Sequence, residues 1–125
     1  MSTKMGARIN FIFKDSLTHP SVVLYSHWGE TEWQRDIAMA LQHAKPRWAD
    51  SSYATRMMIS YLMQDCILDE TGFGIYSITG SNYDLGDTTV VIDIAKETII
   101  DDHRNVIPWV DFINAYAPKA LTEQI

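Results

Sequence analysis

Between Arg8 and Cys66 the spacing of apolar residues changes once, and that change limits the folds open to the chain. In "ARINFIFKD", Ile9, Phe11 and Phe13 alternate with Arg8, Asn10 and Lys14, the period of a half-buried strand. After the turn "LTHPS", the segment "SVVLYSHW" is apolar on both faces, as a central strand is, and the short connection predicts a β-hairpin. From Thr31 the period becomes helical. Trp33, Ile37, Leu41 and Ala44 recur at helical spacing, and Pro46 ends the run. Thr31 with Gln34 forms a capping-box pattern, and Glu30 and Glu32 suit the positive end of the helix dipole. "RWADSS" leads into a second helix capped by Asp50 or Ser51. Its stripe is Ala54, Met58, Leu62 and Cys66, flanked by Met57 and Tyr61.

The remainder returns to strands. "DETGFGIYSI" follows a glycine turn, "TGSNYDLGD" predicts a polar hairpin loop, and "TTVVIDI" is the strongest strand signal. "AKE" turns into a short "TIID". "NVIPWVDFINAY" places Pro108 at a helix start, with Trp109, Phe112, Ile113 and Tyr116 on the buried face. The tail from about residue 117 is expected to be loosely held. The order ββααβββα predicts an α+β fold, a mostly antiparallel sheet with helices packed on one face. With no repeat or linker, 125 residues read as a single domain, 1–125. The expected core is Phe11, Phe13, Trp33, Ile37, Leu41, Met58, Leu62, Val90, Ile92 and Phe112, with Cys66. Helices over Phe11 and Phe13 leave a second sheet face, bearing Tyr25, His27 and Tyr76, that is wet, ligand-bound or paired with a second copy. A two-fold homodimer is the expectation.

Composition removes several function classes. An apolar content of 46% with 11% aromatics excludes a disordered chain. No apolar run approaches membrane-spanning length, so no membrane partner is expected. The single cysteine, Cys66, makes no internal disulfide and points to a reducing, cytoplasmic setting. The net charge of −6 is divided unevenly: residues 1–62 carry +2 and residues 63–125 carry −8. An extended nucleic-acid surface is therefore not expected. Arg35, Lys45, Arg47 and Arg56 fall within 22 positions, the one stretch where an anion site could form.

Two segments carry candidate chemistry. In "YSHWGE", His27, Trp28 and Gly29 stand where a strand hands over to a helix. One reading is a ligand pocket in which Trp28 stacks and helix N–H groups donate; the other is a structural histidine beside a packed indole. In "KPRWADSSYATR", Arg47, Ser51, Ser52 and Arg56 could hold a phosphate, or the segment is an ordinary capped helix start. "GFGIY" lacks the third glycine of a dinucleotide fingerprint. His19, His27, His43 and His103 are scattered and there is no paired cysteine, so neither a metal nor another cofactor is implied. Asp84, Asp87, Asp101 and Asp102 lie near loops of the last strands, either as phosphate mimics or as ordinary solubilising charge.

"GARINFIFKD", "VVLYSHWGETEW", "RWADSSYATR" and "ETGFGIYSI", in this order, resemble small bacteriophage-encoded proteins of no established activity. The resemblance covers residues 6 to about 95, with "YSHWGE" its most distinctive element. It implies a phage origin and the cytoplasm of an infected host. Small phage proteins often act against host defences by sequestering nucleotide signals or blocking a host protein. The expected function is thus non-catalytic binding of a small anionic or nucleotide-like ligand. The contacts assigned to it are His27, Trp28, Arg35, Arg47, Tyr53 and Arg56, with Tyr25 and Tyr76 from the sheet face. The alternatives are a small enzyme acting on such a ligand and a protein-binding inhibitor using the acidic half.

Overall fold

The computed structural model describes residues 8–15, 19–27, 32–80 and 85–119. In chain order the elements are β1 (Ile9–Lys14), β2 (Ser21–Ser26), α1 (Trp33–Ala44), a 3-10 turn (Lys45–Arg47) and α2 (Ser51–Met63). They continue with β3 (Phe73–Ile78), β4 (Thr88–Asp93), β5 (Thr98–Ile100), β6 (Val106–Pro108) and α3 (Trp109–Tyr116). The strands form one sheet in the order β3-β2-β1-β4-β5-β6. Every pairing is antiparallel except that of β1 with β4.

The alternation in β1 decides the layering. Ile9, Phe11 and Phe13 join Leu24, Val90, Ile92 and Ile99 on one face, against Trp33, Ile37 and Leu41 of α1, Met58 of α2 and Trp109 and Phe112 of α3. All three helices therefore lie on that face, and the fold is α+β. Aromatic rings join the layers. Trp33 stacks on Phe112 with centroids 5.9 Å apart, and Trp48 meets Trp109 edge-on at 5.0 Å. Both indoles of the second pair satisfy their N–H groups, Trp48 on the Leu41 carbonyl and Trp109 on the Thr98 carbonyl.

Several expectations change in detail. α1 begins at Trp33 with Glu32 at its N-cap and no side-chain cap bond; Thr31 lies outside the described residues. α2 stops at Met63, so Cys66 stands in the following turns, half-buried rather than in the core. Burial and then the neighbouring Asp69 and Asp65 carboxylates push its thiol up. Leu62 is also half-buried, and Tyr116 is exposed beyond its contact with Phe112. Residues Val106–Pro108 form a sixth strand against β5 before α3 starts, because Pro108, on an edge, sacrifices no ladder bond.

The largest correction concerns "TGSNYDLGD". It does not close a hairpin. β3 lies on one edge of the sheet, whereas β4 sits beyond β2 and β1, parallel to β1. Residues 79–87 thus connect two parallel strands, a short span for a crossover that ordinarily takes a dozen residues or more. Its described residue Leu85 lies on the face away from the helices. Leu85 packs on Ile12, Val23 and Val91, which project away from the helices and are fully buried. The second sheet face is therefore covered at its centre by Leu85, and neither all wet nor all open.

At the far end, Asp101 organises the β5–β6 turn. Its carboxylate accepts the His103 and Asn105 backbone N–H groups and the Asn105 side-chain amide. Desolvation raises its pKa, but these bonds and the nearby His103 outweigh it and hold the carboxyl below its ordinary value. A lowered folded pKa means stability that is present above the unfolded-state value and lost as pH falls through the folded one. Asp101→Ala is expected to cost about 1 kcal/mol at neutral pH. That difference should shrink on acidification through the carboxylate range, as urea denaturation across a pH series would show. A pH-independent difference would contradict the assignment.

Candidate functional site

The three helices do not cover the whole sheet. α2 packs against α1, with Phe13 of β1 and Val22 of β2 beside it, and the edge strand β3 is covered only in part: Phe73 packs on the helical core, whereas Ile75 is 58% exposed. A groove of about 440 Å³ runs between α2 and this edge. Its floor is apolar: Phe13, Val22, Ile59 and Ile75. Its polar groups come from α2, as Ser51, Ser52, Thr55, Arg56 and Ser60, and from the β1–β2 connection, as Asp15 and His19. Such a volume and such a mixture suit a small organic ligand held by a few polar contacts.

The polar groups are separated along the helix. Ser51 donates its hydroxyl hydrogen bond to Asp15 at 3.0 Å. Arg56, five residues later and about 7.5 Å along the axis, reaches the Ser60 hydroxyl, at 3.4 Å. Among the described residues no carboxylate pairs with Arg56. One end of the groove thus offers a carboxylate and hydroxyls, the other an exposed guanidinium. The helix N-terminus itself is taken. Asp50 caps α2, accepting the Tyr53 N–H and the Ser52 hydroxyl, so its own carboxylate occupies the place of an anion.

The residues singled out from the sequence fall at four places. Arg56 lines the groove. Arg47 stacks over the Tyr53 ring at 5.0 Å, at the corner before α2. Arg35 pairs with Glu32 at 3.4 Å and borders a second cleft of about 280 Å³ between α1 and the end of α2, with Asp36, Tyr61 and Asp65. There the Asp36 carboxyl is pushed up, first by loss of solvent and then by Glu32, with Arg35 acting the other way. Tyr25, His27 and Tyr76 share the opposite face of the sheet. The Tyr25 hydroxyl lies 3.3 Å from His27 Nδ1, and Tyr76 donates to buried Asn10 at 3.2 Å. Burial, followed by the Asp87 charge, pushes the Tyr76 hydroxyl up.

His27 and Arg56 therefore stand on different faces of the sheet and do not share a cavity. Trp28 and Gly29 lie outside the described residues. Among the described residues there is no group of three metal-binding side chains, and no helix is long and apolar enough to cross a membrane. Asp15, His19, Phe13, Val22 and Ile75 were missed by sequence reasoning. Their available signal was the cluster of polar and turn residues after β1, which faces the hydroxyl-rich start of α2.

No protein family matches the chain, and no curated protein or solved structure is significantly similar to it.

Proposed function

We propose that the protein binds a small anionic, nucleotide-like ligand without transforming it, and that the ligand lies in the groove between α2 and β3. The observation that carries this is Arg56, a cation without a carboxylate partner among the described residues, at one end of an apolar-floored groove. A flat apolar ring fits over Phe13, Val22 and Ile75. Hydroxyl groups fit the Asp15–Ser51 end, and a phosphate fits the guanidinium, for which a charge-assisted pair is the strongest available contact. With the resemblance to phage proteins, the reading extends to sequestering a host nucleotide signal in the infected cytoplasm, as a homodimer.

The protein-binding alternative, using the acidic half, draws less support. Of the four carboxylates singled out for it, Asp101 is engaged within its own turn and Asp84 lies outside the described residues, which leaves the exposed Asp87 and Asp102.

Titration calorimetry with the four 5′-mononucleotides tests the site. Arg56→Ala is expected to weaken binding by about 2 kcal/mol, roughly thirtyfold, through loss of the charged contact. Ile59→Trp, which fills the groove, should abolish binding with the fold intact. Absence of heat for every nucleotide at millimolar concentration, or an Arg56→Ala variant that binds like the wild type, would remove the proposal.

A further inference from the structure

The outer edge of β3, unpaired among the described residues, bears on how that groove is completed. The His27 N–H donates to the Gly72 carbonyl, and the register runs Tyr25↔Gly74, Val23↔Tyr76 and Ser21↔Ile78. In an antiparallel ladder these alternate residues exchange bonds with β2. Phe73, Ile75 and Ser77 accordingly turn their N–H and C=O groups outward, at the sheet's edge. Exposed edges are normally blunted by a charge, a proline or a bulge. "FGIYSI" has no charge and no proline, and its register with β2 is continuous.

We propose that two copies of the chain pair antiparallel through β3, about a two-fold axis at Ile75, and that the pairing joins their two grooves into one site. It rests on the groove being the ligand site. The edge is self-complementary. The three outward-facing residues are symmetric about Ile75, so Ile75 meets the partner's Ile75, and Phe73 meets the partner's Ser77. The Ile75 pair and the two symmetry-related Phe73–Ser77 pairs can each exchange two backbone hydrogen bonds, six in all. Between them Tyr76 falls opposite the partner's Gly74, so no two bulky side chains compete for that position. No like charges meet along the strand. The two exposed Ile75 side chains, both on the helical face, bury each other on the floor where the grooves adjoin. The joint site is then walled by two α2 helices, each presenting Arg56. A ligand with two phosphate groups, or two ligands side by side, suits that arrangement.

Ser77→Pro isolates the idea, because the lost N–H faces outward and the ladder to β2 stays complete. Ile75→Lys is a second variant, placing a charge at the axis on a side chain that solvent already reaches. Light scattering at tens of micromolar is expected to give twice the 14.3 kDa chain mass for the wild type and the single-chain mass for both variants, with unchanged circular dichroism. A wild-type monomer, or variants that remain dimeric, would overturn the pairing. Binding of adenosine 5′-monophosphate, measured by calorimetry, should fall at least about tenfold in monomeric Ser77→Pro. Equal affinity in monomer and dimer would overturn the joint site. A dimer that depends on the β3 edge yet binds no nucleotide supports the pairing and counts against the ligand reading alone.

Discussion

Trp33→Ala is expected to lower the unfolding free energy by about 3–5 kcal/mol, a large share of the 5–15 kcal/mol that a domain usually has. Trp33 is the first residue of α1 and only 2% exposed. Its ring lies 6.4 Å from Phe11 of β1 and 5.9 Å from Phe112 of α3, so one side chain joins sheet, first helix and last helix. Alanine leaves a cavity that three separate elements must close, and rigid elements relax only partly. Trp33→Phe keeps a ring against Phe112 and should lose clearly less. Urea denaturation followed by circular dichroism decides the matter. A loss under about 1 kcal/mol would mean that these rings do not tie the layers together.

Lys14→Met should come next, costing about 3 kcal/mol, because it leaves a buried carboxylate without its cation. Lys14 ends β1 and Asp93 ends β4, in register across the parallel pair. The Lys14 ammonium lies 3.5 Å from the Asp93 carboxylate, whose side chain is 4% exposed. Asp93 keeps one bond, from the Lys96 backbone N–H, so its loss of partners is incomplete. A double-mutant cycle with Asp93→Asn separates the terms. Asp93→Asn in the Lys14→Met background should restore much of the stability, since a neutral amide avoids the uncompensated charge. Additive losses from the two changes would show that the pair is not coupled.

Much of this architecture was legible in the sequence where one period ran long enough. The alternation around Phe11 and the helical recurrence through Trp33, Ile37 and Leu41 located strand, helix and core face, because burial acts on each residue in turn. Strand order is different in kind. The glycine, asparagine and aspartate of "TGSNYDLGD" serve a tight hairpin and a crossover equally, and only the pairing of β4 with β1, not with β3, distinguishes them. β6 escaped notice because three residues are too few to show a period. For the site, Arg56 was readable as a cation near a helix start. The groove was not, since it is made by what α2 fails to cover, and Ile75 looks like any strand residue until its neighbours are placed. His27 and Arg56, close in the chain, were parted by the sheet itself.

The placing of β4 beside β1 also governs when the sheet can exist at all. Lys14 and Asp93 are 79 positions apart, so on a ribosome adding about 5–20 residues per second the second strand emerges roughly 4–16 s after the first. In that interval β2 and β3 can pair on one side of β1, while Ile9, Phe11 and Phe13 have no neighbour on the other. The nascent chain therefore carries an apolar strand with one unpaired edge for seconds, at the centre of what will become the sheet. That is long compared with hairpin formation in microseconds. Synthesis rate and chaperone access, more than final stability, should set the yield of folded protein.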